Sequence, residues 1–282
     1  MTDVLRVAAF SMDNVGGNPA GVVLCESLPD AAEMQAIAQQ VGYSETVFAA
    51  PKDDAWRVRY FSPEVEVDFC GHATIALGAA LAQKHGTGNF KLQLNRAAIT
   101  VEGFCDAHAW CAAFQSPPTQ SRPISPELLT ETLSLFGLTQ AELNPKVPPA
   151  IANAGGDHIV LALNSHEALK NMHYDQQLGR ELCLREKLVT FNLVYADTDQ
   201  VFYSRNPFPV GGVFEDPATG SAAAALAGYL RDLQLAKNEP HQGKLTVYQG
   251  AEMGMPSRID IALTDVPGAS VTVSGQVRQL EA

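Results

Sequence analysis

A chain of 282 residues that is 46% hydrophobic and 18% charged can fill sizeable cores, suggests two domains, and excludes disorder. The formal charge of −12 argues against a nucleic-acid or anionic-membrane surface, since both need clustered Lys and Arg. A small anionic substrate stays open, because backbone N–H groups hold such a ligand locally.

The N-terminus, MTDVLRVAAF, lacks the basic start and long apolar core of a signal peptide. No uncharged apolar run approaches the ~20 residues that span a bilayer. The five cysteines, Cys25, Cys70, Cys105, Cys111 and Cys183, contain no CxxC pair. Neither a disulfide framework nor a zinc site is expected, and a reducing cytoplasm fits.

In chain order, VLRVAAF, AGVVLCE, ETVFAA and WRVRYF read as strands. Between the second and third, Pro29 and Asp30 open a helix that Gly42 closes. A second helix runs from about Gly71 to His85, and FKLQL, AITVEG and AWCAAF follow as strands. The Pro- and Ser-rich segment 115–127 then reads as the domain boundary. Beyond it come a helix near Ser125-Pro126, strands in PPAIANAGGDHIVLAL, and a helical stretch over 165–187. LVTFNLVYA and QVFYSR are strands, an Ala-rich helix occupies about 219–235, and three strands end the chain. The expected division is 1–118 and 119–267, with a last strand at about 268–282 returning to the first domain.

Each half holds many strands and one unusually apolar helix. GHATIALGAAL and GSAAAALAGYL superpose at an offset of 149, with 147 also arguable, so a tandem duplication of one α/β unit is the natural reading. A helix apolar all round must be covered all round, so each is expected at the centre of a wrapped sheet. Both helix starts are polar and contain glycine: Cys70-Gly71-His72-Ala73-Thr74 and Thr219-Gly220-Ser221. The first N–H groups of a helix have no internal partner, and the dipole there favours an anion. Two such ends facing each other across a cleft would grip a carboxylate. The alternative is plain capping by His72, Thr219 and Ser221.

Glu45, in GYSETVF, lies between a helix end and a strand start. On a solvated edge it does nothing; in an apolar cleft desolvation raises its pKa and makes it a general acid or base. Asp216 is either an N-cap of the Ala-rich helix or a site residue. His72, near a helix start, is expected neutral and suited to proton relay. Cys70 at its helix start has no cysteine counterpart in 214–222 and reads as a small packed residue. NVGGNPAGVV lacks both GxGxxG and a Walker lysine, and reads as a turn into a strand. The seven histidines show no metal spacing, and no GxSxG elbow is present.

In order along the chain, GNPAGVV (17–23), SETVF (44–48), FCGHAT (69–74) and EDPATGSAAAAL (215–226) resemble the phenazine-biosynthesis PhzF-like isomerase family. The resemblance covers essentially the whole chain. It implies the diaminopimelate-epimerase-like fold of the α/β class: two pseudo-symmetric domains, each a barrel-like mixed sheet round a central helix. It implies a homodimer with no metal or organic cofactor, acting on a small carboxylate-bearing substrate. Glu45 falls on the family's catalytic glutamate, and His72 and Asp216 on its proton-assisting residues. Ser221 falls on the family's serine, which with His72 and Asp216 is held to bind substrate and assist proton movement, and Asn18, Ser44, Gly71, Ala73, Thr219 and Gly220 are further candidate substrate-binding residues. Asp68 and the run SRNPFPVGGVFEDP depart from the family pattern near the expected cleft. Two rivals stand beside a proton-shift isomerase: an amino- or hydroxy-acid racemase or epimerase, and a non-catalytic binding protein on the same fold.

Overall fold

The computed structural model describes residues 3–236 and 243–281. Its strands are β1 (Leu5–Ser11), β2 (Asn18–Leu24), β3 (Glu45–Lys52), β4 (Ala55–Phe61), β5 (Glu66–Val67), β6 (Gly88–Gln93), β7 (Ala98–Asp106), β8 (Ala109–Gln115), β9 (Gln120–Pro123), β10 (Ala150–Asn153), β11 (Asp157–Leu163), β12 (Thr190–Ala196), β13 (Val201–Arg205), β14 (Lys244–Gln249), β15 (Ser257–Ala262) and β16 (Thr272–Gln279). The helices are α1 (Ala31–Val41), α2 (Gly71–His85), α3 (Pro126–Leu135), α4 (His166–Lys170), α5 (Gln176–Glu186) and α6 (Gly220–Asp232). Two compact units emerge. One holds the described residues through Gln115 and again from Ser274; the other spans Ser116–Val273.

In the first unit the strands run β1-β2-β3-β4-β6-β7-β8-β16, and β16 also pairs with β1, which closes the sheet on itself. Closure removes the open edges that a sheet otherwise exposes. Inside lies α2, every residue from His72 to Ala82 buried. Its small side chains let the sheet come close: a Cβ on Gly103 of β7 would sit 2.3 Å from the Gly78 carbonyl oxygen. The helix ends where Gly86 donates its N–H to the Ala82 carbonyl. Outside the barrel, α1 is capped by Asp30, whose side chain accepts from the Glu33 N–H, and is stopped by Gly42 at φ 72°. Met34 and Ala38 of α1 pack on Phe48 and Phe61 of β3 and β4.

In the second unit the order is β15-β14-β13-β12-β11-β10-β9, with β11–β12 and β13–β14 parallel. The body of α6, Ala222–Arg231, is buried against this sheet, touching β9, β10, β11 and β15. The Tyr229 hydroxyl donates to the Pro148 carbonyl at 2.7 Å. The buried Arg231 guanidinium donates to the Ala269 carbonyl and the Thr119 hydroxyl. A second apolar cluster is built by α3, α4, α5 and their flanking strands, from Leu133 and Phe136 to Leu182 and Phe191.

Three sequence readings need correction. The stretch 165–187 is two helices, because Asp175 starts a fresh one by accepting from the Leu178 N–H. The Pro- and Ser-rich segment is no plain linker: its residues Gln120–Pro123 form β9 and pair with β10. The Ala-rich helix stops at Asp232, three residues short of the expected end. The first helical residues of α2 and α6, Gly71 and Gly220, are 149 apart, so the helix starts select that register. Among the described residues no helix is long and apolar enough to cross a membrane.

Candidate active site

Strand alternation aims Glu45. In β3, Phe48 faces α1, so Glu45, Val47 and Ala49 share the opposite face, toward α2. The Glu45 Oε2 lies 3.4 Å from His72 Nε2, with side chains 17% and 7% exposed respectively. Ser44 Oγ is also 3.4 Å from that nitrogen. The other ring nitrogen, Nδ1, lies 3.3 Å from Cys70 Sγ. One imidazole thus touches a carboxylate and a hydroxyl at Nε2 and a thiol nearest Nδ1, which also lies 3.9 Å from Nε2. Cys70 is therefore part of the cluster and not a packed bystander.

The frame behind these groups is rigid. The Thr74 hydroxyl donates to the Cys70 carbonyl at 2.7 Å. That commits its proton, so the Tyr60 hydroxyl, 2.8 Å away, is the donor to Thr74 Oγ1. Burial pushes the Tyr60 phenol up from its usual value, with its contact to Thr74 opposing, and keeps it a donor. At Gly71 an added Cβ would meet Phe114 Cζ at 3.3 Å, so glycine lets the ring close over the turn. Cys70 is the N-cap of α2 in extended conformation; its side chain makes no capping hydrogen bond, and the first turn holds no acid. Asn18 is buried and opens β2, whose Ala20 stands opposite Glu45. That register puts Asn18 on the same sheet face as Glu45.

The second unit carries its own arrangement. The N-cap of α6 is Thr219, again with no side-chain cap and no acid in the first turn. The Asp216 Oδ2 accepts from the Thr219 hydroxyl at 2.5 Å. Gln249, at the end of β14, donates from Nε2 to the Asp216 carbonyl at 2.6 Å and to Thr219 Oγ1 at 3.0 Å. Its Oε1 accepts from the Thr219 N–H at 3.3 Å. Gly220 is buried and Ser221 half-buried at the first turn. Capping by His72, Thr219 or Ser221 thus occurs at neither start.

Glu215, beside Asp216, is structural. Its Oε2 accepts from Arg205 Nε at 2.9 Å and Nη2 at 2.6 Å, and the pair is buried. Burial pushes the Glu215 carboxyl up, and the Arg205 guanidinium works against that shift. Pro207 bridges Glu215 in antiparallel register, and the Asp216 N–H donates to the Asn206 carbonyl. Asn206 and Asp216 therefore share the face opposite Arg205 and Glu215. The Asn206 side chain is 1% exposed, and neither of its amide atoms has a partner among the described residues.

Sequence reading missed Gln249, Asn206 and the role of Cys70. Gln249 and Asn206 carry no motif signal; Cys70 does, at two residues from His72 and at a helix start. For a metal, Glu45, Cys70 and His72 offer one ligand atom each, all within 4.8 Å of one another.

Comparison with known proteins fixes the class. The chain superposes with TM-score 0.86 on a phenazine biosynthesis protein of the PhzF family from Bacillus anthracis, over 99% of this chain and 97% of that one at 20% identity. It superposes with TM-score 0.84 on a predicted epimerase from Pseudomonas aeruginosa, over 100% and 98% at 26% identity. The fold is the mixed α/β fold those two structures share. The chain belongs to the phenazine biosynthesis-like protein family, whose model matches residues 7–280. A curated relative, an uncharacterized isomerase of Mesorhizobium japonicum, is 33% identical over 94% of this chain and 92% of its own length. The chain is accordingly an enzyme of the isomerase class.

Proposed function

We propose that this isomerase moves a proton on a small carboxylate-bearing substrate without metal or organic cofactor, with Glu45 as general base and acid. A proton leaves a carbon made acidic by a neighbouring carboxylate or conjugated system and goes to the Glu45 carboxylate. The electron pair left behind spreads onto the substrate's oxygen atoms. There the uncapped N–H groups of Gly71, His72 and Ala73 stabilise it as an oxyanion hole does. The proton returns to a different carbon, and His72 passes it between Glu45 and Ser44 or Cys70. Asp216, Thr219, Gly220 and Ser221 bind substrate at the second uncapped helix start, and Asn18 and Ser44 contribute polar contacts. The protein works as a homodimer in the cytoplasm.

The observation that carries this reading is the Glu45–His72 contact of 3.4 Å at the start of a helix buried from His72 to Ala82, whose N-cap side chain makes no capping hydrogen bond. Two groups able to exchange a proton sit where a developing negative charge finds free N–H donors.

A second reading has an observation of its own. Cys70 Sγ lies 3.3 Å from His72 Nδ1 and 3.9 Å from Nε2, within 4.8 Å of the Glu45 carboxylate. A second protic group beside the first is what racemisation or epimerisation requires. Incubation in D2O with a panel of amino acids, hydroxy acids and dihydroaromatic carboxylates separates the readings by NMR. Deuterium at a carbon different from the one deprotonated supports the proton shift. Deuterium at the same carbon with inverted configuration supports the epimerase. Stabilisation of the protein by panel members with no exchange overturns both and leaves a binding protein.

A further inference from the structure

We propose that Glu45, Cys70 and His72 form a binding site for a thiophilic divalent cation of the zinc class, and that its occupation shuts off the enzyme. The binding half stands on geometry and ligand chemistry; the shut-off half rests on the function proposed for Glu45.

The three ligand atoms already converge. His72 Nε2 is 3.4 Å from Glu45 Oε2 and 3.9 Å from Cys70 Sγ. Tetrahedral zinc, with Zn–N of about 2.0 Å and Zn–S of about 2.3 Å, holds neighbouring ligand atoms about 3.3–3.6 Å apart. The His72–Glu45 edge is already in that range, the His72–Cys70 edge needs a closure of a few tenths of an ångström, and the Glu45 and Cys70 ligand atoms, within 4.8 Å of each other, must draw together as the ion binds. Binding through Nε2 also frees the thiol from Nδ1. Cys70 and His72 sit two residues apart on the first turn of α2, and Glu45 opens β3, so regular elements carry the ligands. The Tyr60–Thr74–Cys70 chain of hydrogen bonds fixes the turn further. The fourth position lies toward Ser44, an exposed residue whose Oγ is 3.4 Å from the same nitrogen.

The chemistry selects the ion. A thiolate and a carboxylate neutralise a doubly charged cation, and a neutral imidazole completes the protein's share. The dipole of α2 presents its positive end at this turn. The same positive dipole end repels a cation that gains no thiolate bond. Calcium and magnesium, which need oxygen ligands, are therefore discriminated against. Sequence spacing hid the site, because Cys-x-His with a glutamate 25 residues upstream matches no common zinc pattern.

The test uses the full chain stripped with a chelator, with Co2+ and then Zn2+ as probes. Co2+ is expected to give a thiolate-to-cobalt charge-transfer band saturating at one equivalent per chain, which Zn2+ then bleaches. Cys70→Ser should abolish the band and weaken Zn2+ in chelator competition by more than about a hundredfold, since even outer-shell changes cost 10–100-fold. His72→Ala and Glu45→Gln should each weaken it at least about tenfold. Cys105→Ser, which removes an exposed thiol outside the cluster, should change neither. If Cys70→Ser does not fold, protection of Cys70 from iodoacetamide by Zn2+ in the wild type, read by peptide mass spectrometry, takes its place. Absence of the band, binding that survives Cys70→Ser, or an unprotected Cys70 means an adventitious ion only and overturns the site. Zn2+ should also stop deuterium exchange, with a chelator restoring it. Exchange that continues in the saturated protein overturns the shut-off and not the binding.

Discussion

Replacing Glu215 with Gln tests what holds the EDPATG loop. The Arg205 guanidinium is 9% exposed and rests two of its nitrogens on one oxygen of Glu215, itself 3% exposed. Arg205 Nη1 also donates to the Lys170 and Met172 carbonyls at 2.8 and 3.1 Å, which ties down the end of α4. Removing the carboxylate charge leaves a cation buried with only neutral partners. Breaking such a pair costs about 3–5 kcal/mol. At about 2–4 °C per kcal/mol for a domain of this size, the Tm should fall by about 6–20 °C. Arg205→Met should cost at least as much, because it strands a buried carboxylate and two carbonyls. The double variant Arg205→Met/Glu215→Leu should be more stable than either single one, since an apolar pair carries no uncompensated charge. Thermal unfolding by circular dichroism and urea titration measure all three. Single variants within about 1 kcal/mol of wild type, or a double variant whose loss is the sum of the two, would refute the role given to the pair.

Burial pushes the His158 imidazole down to about 4, with neighbouring Asp157 opposing. Its neutral form is thus the native one, so stability present above pH ~6.5 should fall by about 3 kcal/mol as pH drops to ~4, and His158→Asn should flatten that slope in urea titrations. Gly103→Ala forces a Cβ to 2.3 Å from the Gly78 carbonyl oxygen, which backbone cannot yield. It should therefore cost about 3 kcal/mol or more by the same assay. Asn206→Leu removes two buried, partnerless amide atoms. It should raise stability by about 1 kcal/mol or more in thermal unfolding.

Much of the frame was legible before any coordinates. Asp30 and Gly42 bracket α1 because a short side chain accepts at one end and glycine turns left-handed at the other. The two bare helices announced their burial by composition alone. Strand β9 stayed hidden because its polar sequence, Gln120-Ser121-Arg122-Pro123, has no alternation and pairs through backbone only. The break between α4 and α5 lacks both glycine and proline, although the Asp175 cap marks where the second helix begins. The site divides in the same way. Glu45, His72 and Asp216 sit in recognisable motifs, but the imidazole's contacts with Glu45 and Cys70 bring residues 45, 70 and 72 together through tertiary packing. Beyond its local bond to Asp216, Thr219 is held by Gln249, 30 residues away, and nothing local foretells that partner.

The central claim is that Glu45 carries the proton. Its most direct test is the rate of solvent-deuterium incorporation into a panel carboxylate that the wild type exchanges, compared between wild type and Glu45→Gln at matched thermal stability. Loss of a positioned general base should slow incorporation by about 10²–10⁴-fold. An undiminished rate in the folded variant would contradict the account.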